Sequence, residues 1–183
     1  ADGVLIGEFG EERRSVVRIS EVPKSLIHAI LAAEDDQFYQ HAGIDPAGIA
    51  RSVFANLLAG SKAQGASTIT MQVARNFYLS TEKTFTRKIY EVLLAFEIER
   101  KLTKDQILEL YINQIYLGRR AYGFASAAQI YFGKPIGRLS IAESAMLAGL
   151  PKAPSSYNPV VNPRRAQARQ QYVLGRMHKL RLI

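Results

Sequence analysis

Residues 24–43 read Lys-Ser-Leu-Ile-His-Ala-Ile-Leu-Ala-Ala-Glu-Asp-Asp-Gln-Phe-Tyr-Gln-His-Ala-Gly. Leu26, Ile27, Ile30 and Leu31 recur at helical spacing, Pro23 marks the helix start, and Glu34 stands one heptad after Ile27. That places a carboxylate on the apolar face and at the negative end of the helix dipole. Burial and dipole both disfavour the ionised form, so the pKa of Glu34 is expected to rise, as suits a general acid or base. The pattern alone equally allows Glu34 to close the helix or to pair with an arginine.

Helix follows helix after this stretch. Asp45-Pro46 is a cap followed by a helix-starting proline, and it opens a segment with Ile49, Val53, Phe54, Leu57 and Leu58 expected inward, closed by Gly60. Residues 60–66 carry no apolar period and read as a mobile loop, with a helix from Ser67-Thr68 through Phe77 beyond them. Ser80 or Thr81 is expected to cap a long helix to Leu102, with Phe85, Ile89, Val92, Leu93 and Phe96 on one side. Thr103–Gln106 and Ser140–Glu143 are capping boxes, for helices ending at Gly118 and Gly149; an Ala-rich helix is expected over residues 122–131. Asn162-Pro163 opens a final basic helix. Before all of this, residues 4–9 and 15–19 are short β-prone runs. The expectation is a single all-α domain over residues 1–183 with a short N-terminal β-prone arm.

The chain of 183 residues has a formal charge of +8 and no cysteine, which excludes disulfides and thiolate metal sites. Six of the 24 Lys and Arg lie in residues 164–183, which hold no acid. That leaves 18 basic residues against all 16 acids, so the rest is nearly neutral. A charge excess confined to one helix argues against a broad nucleic-acid face and suits an anionic membrane surface or a solvated helix. No apolar run approaches the roughly 20 residues needed to cross a bilayer.

Four further features bear on chemistry. Gln64-Gly65-Ala66-Ser67-Thr68 is a small-residue loop entering a helix, where free N–H groups, hydroxyls and the dipole would cradle an anion. Gln72 and Arg75, one turn apart, would add a donor and a cation there. Arg87, Lys88 and Glu91 have the spacing of a surface ion pair; the sharper reading is two cations beside a second carboxylate, suited to a leaving phosphate. His41, beside Phe38 and Gly43, reads as an orienter of the loop behind Glu34. Ser80-x-x-Lys83 and Ser156-Tyr-Asn158 echo the penicillin-reactive serine site, but no Lys-Thr-Gly accompanies them and the helical pattern cannot supply that fold's sheet.

Taken in order, these pieces closely resemble the peptidoglycan glycosyltransferase domain (glycosyltransferase family 51) of class A penicillin-binding proteins and monofunctional transglycosylases. The E-D-x-x-F-x-x-H-x-G motif is matched at Glu34, Asp35, Phe38, His41 and Gly43. Gly65 to Gln72 follows G-G-S-T-I-T-Q-Q except for Ala66 and Met71, and Arg87, Lys88 and Glu91 match R-K-x-x-E. Tyr111-Ile112-Asn113 with Gly118, Tyr131–Lys134, and Ala142-Glu143 through Leu150–Pro154 look like the remainder.

The resemblance implies a lysozyme-like, two-lobed helical fold, a head plus a small hydrophobic jaw against the outer face of the cytoplasmic membrane. It implies inverting β-1,4 polymerisation of lipid II, with release of undecaprenyl pyrophosphate. Glu34 would be the base and Glu91 would orient cations or assist departure. Ser67, Thr68, Gln72, Arg75, Arg87, Lys88 and Asn113 would line the donor side, while Asp35, Phe38, His41 and Gly43 shape the site. The partners implied are lipid II, the growing lipid-linked strand, the membrane surface and a moenomycin-type inhibitor, with no nucleic acid. No cofactor is required by this chemistry, though a divalent cation, Mg or Mn, at the pyrophosphate is compatible with it. The family usually carries an N-terminal membrane helix, and residues 164–183 would lead toward a transpeptidase domain. The rival expectation is a lytic enzyme of the same architecture, which would not need Arg87, Lys88 and Glu91.

Overall fold

A computed structural model describes residues 13–59, 67–77 and 85–183. Among them are eight α-helices: α1 (Lys24–Glu34), α2 (Pro46–Ala59), α3 (Ile69–Asn76), α4 (Phe85–Lys101), α5 (Lys104–Gln114), α6 (Phe124–Phe132), α7 (Ile141–Ala148) and α8 (Pro163–Lys179). The fold is all-α, as expected. Its only paired strands among the described residues are two dipeptides, β1 (Arg13–Arg14) and β2 (Ala121–Tyr122), aligned in parallel with Arg13 opposite Ala121.

The core forms where the apolar faces of α1, α3, α5, α6, α7 and α8 meet. Leu26 and Ile30 of α1, Ile69 of α3, Ile107, Leu108, Tyr111 and Ile112 of α5, Phe124 of α6, Leu147 of α7 and Val173 of α8 are fully buried. Each large apolar side chain withdrawn from water here contributes about 2 kcal/mol before conformational entropy is counted. Helix α1 lies against α7 and α8, and α3 lies against α4 and α5. The end of α1 is therefore held in a rigid frame, with the start of α3 facing it.

Both capping boxes form. The hydroxyls of Thr103 and Ser140 accept from the N–H groups of Gln106 and Glu143, whose side chains return the bond. Several boundaries differ from the sequence expectation. Helix α5 stops at Gln114 rather than Gly118, and α6 starts at Phe124 because Ala121–Tyr122 are drawn into the pairing with β1. Of the expected β-prone arm, residues 4–9 lie outside the described residues; Ser15–Arg18 form no strand, and Ile19 begins a short 3-10 turn. The loop 60–66 and the Ser80/Thr81 cap also lie outside them.

Two helices carry large apolar side chains on their solvent face. On α2, Phe54 and Leu57 are 65 % and 75 % exposed, not inward. On α4 the stripe of Ile89, Leu93 and Phe96 faces solvent, and the packed face carries Glu91, Ala95 and Ile98. The 3.6-residue period of α4 was legible. Which side packs was not, because a buried carboxylate replaces an apolar residue on the inner face.

Candidate active site

Glu34 is the last residue of α1, and its side chain keeps 12 % of its exposure at the wall of a cleft of about 390 Å³. The cleft is shared by the end of α1, the start of α2, Ser67, Thr68, Gln72 and Arg75, the Pro151-Lys152 turn, and Arg169, Tyr172 and Arg176 of α8. Gln72 Nε2 donates to Glu34 Oε2 at 2.9 Å, leaving Oε1 facing Arg169 Nη2 at 3.8 Å. Burial raises the pKa of Glu34, and the Gln72 hydrogen bond and the charges of Arg169 and Lys152 offset this only in part.

Asp35 fixes that geometry. Its carboxylate accepts from the N–H of Ile69 at 3.0 Å and faces His41 Nε2 at 3.0 Å from both oxygens. It thereby binds the first turn of α3 to the end of α1, with His41 holding the intervening loop. Phe38 is fully buried beneath the ammonium of Lys104, 4.5 Å from its ring centre. Gly43 adopts φ +89° and lies against α4, where a Cβ would come within 3.2 Å of the Ala95 carbonyl oxygen. The Gly43 carbonyl also accepts from Thr68 Oγ1, whose oxygen in turn caps α3 by accepting from the N–H of Met71. The motif is thus a clamp that sets two helix ends facing each other.

The second carboxylate, Glu91 on α4, meets α3 one turn after Gln72, at Arg75. Glu91 is fully covered and bound by three cations: Arg75 through two hydrogen bonds of 2.9 and 3.2 Å, Lys88 at 3.1 Å and Arg87 at 3.3 Å. This is no surface ion pair. Burial would raise the pKa of Glu91, but the hydrogen bonds from Arg75 and Lys88 outweigh it and hold the group below its ordinary value. Lys88 also donates to Ser67 Oγ at 2.9 Å, which carries its charge to the cleft wall.

Of the sequence-predicted residues, the structure brings Glu34, Asp35, Ser67, Thr68, Gln72 and Arg75 to one cleft, with Lys88 and Glu91 immediately behind. Gln72 grips Glu34 rather than standing free on the donor side. Gln64, Gly65 and Ala66 lie outside the described residues. Met71, where the family motif has glutamine, is buried in the core. Asn113 is not among the residues that line this cleft. Its carboxamide is engaged with both backbone groups of Val17 (2.9 and 2.8 Å) and the Glu109 carbonyl (2.9 Å), so it fastens the N-terminal segment to α5.

The basic α8 was expected to be a solvated or membrane-facing helix. Instead, two of its arginines turn inward: Arg169, 8 % exposed, reaches Glu34, and Arg176 pairs with Asp36 at 2.7 Å. With Lys152 and Tyr172 these were missed. A signal was present, because Ala166, Arg169, Val173 and Met177 follow the helical period and are the buried face.

The helical frame and this cleft of paired carboxylates and cations fit one class of protein, and the sequence comparison agrees. The chain belongs to the transglycosylase family, whose model matches residues 2–178. It is 62 % identical over all 183 residues to penicillin-binding protein 1A of Neisseria lactamica and 57 % identical over 182 residues to that of Pseudomonas aeruginosa. It spans 23 % and 22 % of their lengths, under a quarter in each case. A crystal structure of penicillin-binding protein 1A from Haemophilus influenzae aligns with the whole chain at a TM-score of 0.55 and 33 % identity, the chain covering 18 % of it.

Proposed function

We propose that this cleft joins lipid II units into β-1,4 glycan strands by an inverting displacement. Glu34 takes the proton of the acceptor's 4-hydroxyl through Oε1 while that oxygen attacks the anomeric carbon of the donor. The bond from that carbon to the pyrophosphate oxygen breaks, and undecaprenyl pyrophosphate leaves. Negative charge grows on the leaving oxygens in the transition state, where Arg75, Lys88 and Arg87 offset it. Glu91 is a positioning residue in this scheme. A carboxylate held ionised by three cations is a poor proton donor and a good anchor for them.

The observation that carries the reading is that Glu34, Ser67, Gln72 and Arg75 share one cleft while Lys88 reaches it through Ser67. The cations also favour synthesis over lytic cleavage, which has no diphosphate to release. Incubation with purified sacculi should release no soluble muropeptides, and labelled lipid II should yield a ladder of polymer on a gel. Muropeptide release without polymer would reverse the assignment. A phosphoglycolipid of the moenomycin type would compete for the cation end of the cleft.

A divalent cation at the pyrophosphate stays a proposal without a protein cage. Among the described residues no group of three histidine or acidic side chains is placed to hold a metal, so such a cation would be held chiefly by the diphosphate oxygens.

The exposed Phe54, Leu57, Ile89, Leu93 and Phe96 supply an apolar surface suited to the outer face of the cytoplasmic membrane, where the lipid tail of the substrate resides. No helix among the described residues is long and apolar enough to cross a membrane. Vesicle flotation should therefore weaken in a Leu93→Ser/Phe96→Ser variant, and unchanged flotation would remove this surface from the proposal.

A further inference from the structure

We propose that Arg169 is a positioning residue for the base. From a socket made by Gly149, Tyr157 and Tyr172, it holds its guanidinium opposite the one oxygen of Glu34 that Gln72 leaves open. This rests on the reading of Glu34 as the base. The two carboxylate oxygens have unequal surroundings: Oε2 accepts from Gln72 at 2.9 Å, whereas Oε1 has Arg169 Nη2 at 3.8 Å. That distance is too long for a hydrogen bond and short enough for strong attraction. The charge therefore favours the carboxylate without occupying the lone pair that must take the acceptor's proton.

The socket is built for an arginine. The guanidinium lies 4.5 Å from the ring centre of Tyr172, one turn on along α8, and 5.9 Å from that of Tyr157. The buried Nε has no hydrogen-bond partner, so the two rings and the charge of Glu34 are what hold the side chain in this socket. Gly149 has an ordinary φ of −77°, but a Cβ there would stand 2.8 Å from Arg169 Cγ. Glycine is needed at that position for space, and the space is taken by the arginine's stem.

The charged and titratable groups facing Glu34 come from four elements. They are Asp35 beside it, the buried hydroxyl of Tyr111 on α5, Lys152 in the turn after α7, and Arg169 on α8. Asp35 opposes ionisation, and Tyr111, raised well above its ordinary value by burial and by the nearby carboxylates, stays neutral. Arg169 and Lys152 are the two cations that oppose the desolvation of Glu34.

The test is the pH dependence of lipid II polymerisation by the full-length protein carrying Arg169→Met or Arg169→Lys. In the Met variant the acid limb should move upward. The rate at pH 6 relative to that at pH 9 should fall below wild type, by up to about tenfold for each pKa unit of the shift. The Lys variant should restore much of that ratio. An unchanged ratio in Arg169→Met, with rates lowered equally at every pH, would overturn the proposal and leave Arg169 a packing residue. Should Arg169→Met fail to fold, Gly149→Ala decides the question, because it displaces the stem and keeps the charge: its ratio should change and its fold should survive. A parent-like ratio in Gly149→Ala counts against the proposal. Glu34→Gln assayed alongside separates the two failures, since normal polymerisation by that variant rejects the base assignment itself.

Discussion

Glu34 and Glu91 are the same side chain, each bonded to α3 one turn apart, and their surroundings drive them in opposite directions. Glu34 has one neutral hydrogen-bond donor and a cation held just out of contact, so burial wins and its pKa rises. Glu91 is also withdrawn from solvent, yet three cations touch it and its pKa falls. Burial sets the size of what must be offset, and the number of direct contacts decides the sign. One carboxylate is left able to take a proton; the other is fixed as a charge that gathers cations.

Linkage makes the contrast measurable. The folded pKa of Glu34 lies above its unfolded value, so keeping it ionised costs stability. That cost is absent below the ordinary carboxylate range and grows as pH rises through the folded value. The folded pKa of Glu91 lies below its unfolded value. Its contribution is present above the ordinary range and is lost as pH falls through the folded value.

The largest expected effect is therefore at Glu34. Glu34→Gln should lower polymerisation by about a thousandfold, the scale of a lost general base, while melting no lower than the parent at neutral pH. A variant that melts well below the parent would mean that the ionised carboxylate holds the fold together.

Glu91→Gln should behave in the opposite way, losing roughly 2–3 kcal/mol in denaturant unfolding at pH 7. That is less than a fully buried pair would lose, because Arg75 and Lys88 are nearly half exposed and screened. The deficit should shrink as pH is lowered toward the folded pKa, and a pH-independent deficit would contradict the ionic account. Lys88→Ala should weaken phosphoglycolipid binding about tenfold in surface plasmon resonance and reduce turnover, sharpening the division between base and cation ends. The smallest effect falls at Asn113, where replacement by Ala should cost about 1 kcal/mol of stability through its bonds to Val17 and Glu109 while activity per folded molecule is kept. A selective loss of turnover would return Asn113 to the cleft.

Much of this arrangement was legible in the sequence where local rules govern. The two capping boxes, the cap at Thr68 and the heptad ending in Glu34 each fixed an element from a few adjacent residues. What was not legible depends on packing between distant segments. Arg169 meets Glu34 across 135 positions of chain; the period of α8 marks it as inward, but charge counting points it to a membrane surface or solvent and nothing local names its partner. Asn113 stands in a family motif, yet its partner is Val17, 96 positions away. Helix α4 misleads for a physical reason: its outer face is more apolar than its inner one, so periodicity locates both faces but ranks them wrongly.

The central claim is that base and cations are separate halves of one cleft, and Glu34→Gln tests it most directly when turnover of labelled lipid II and phosphoglycolipid affinity are measured on the same preparation. Polymerisation should fall about a thousandfold with inhibitor affinity within about twofold of wild type, since the cations remain in place. Polymer lengths like those of the parent, or affinity lost together with turnover, would contradict it.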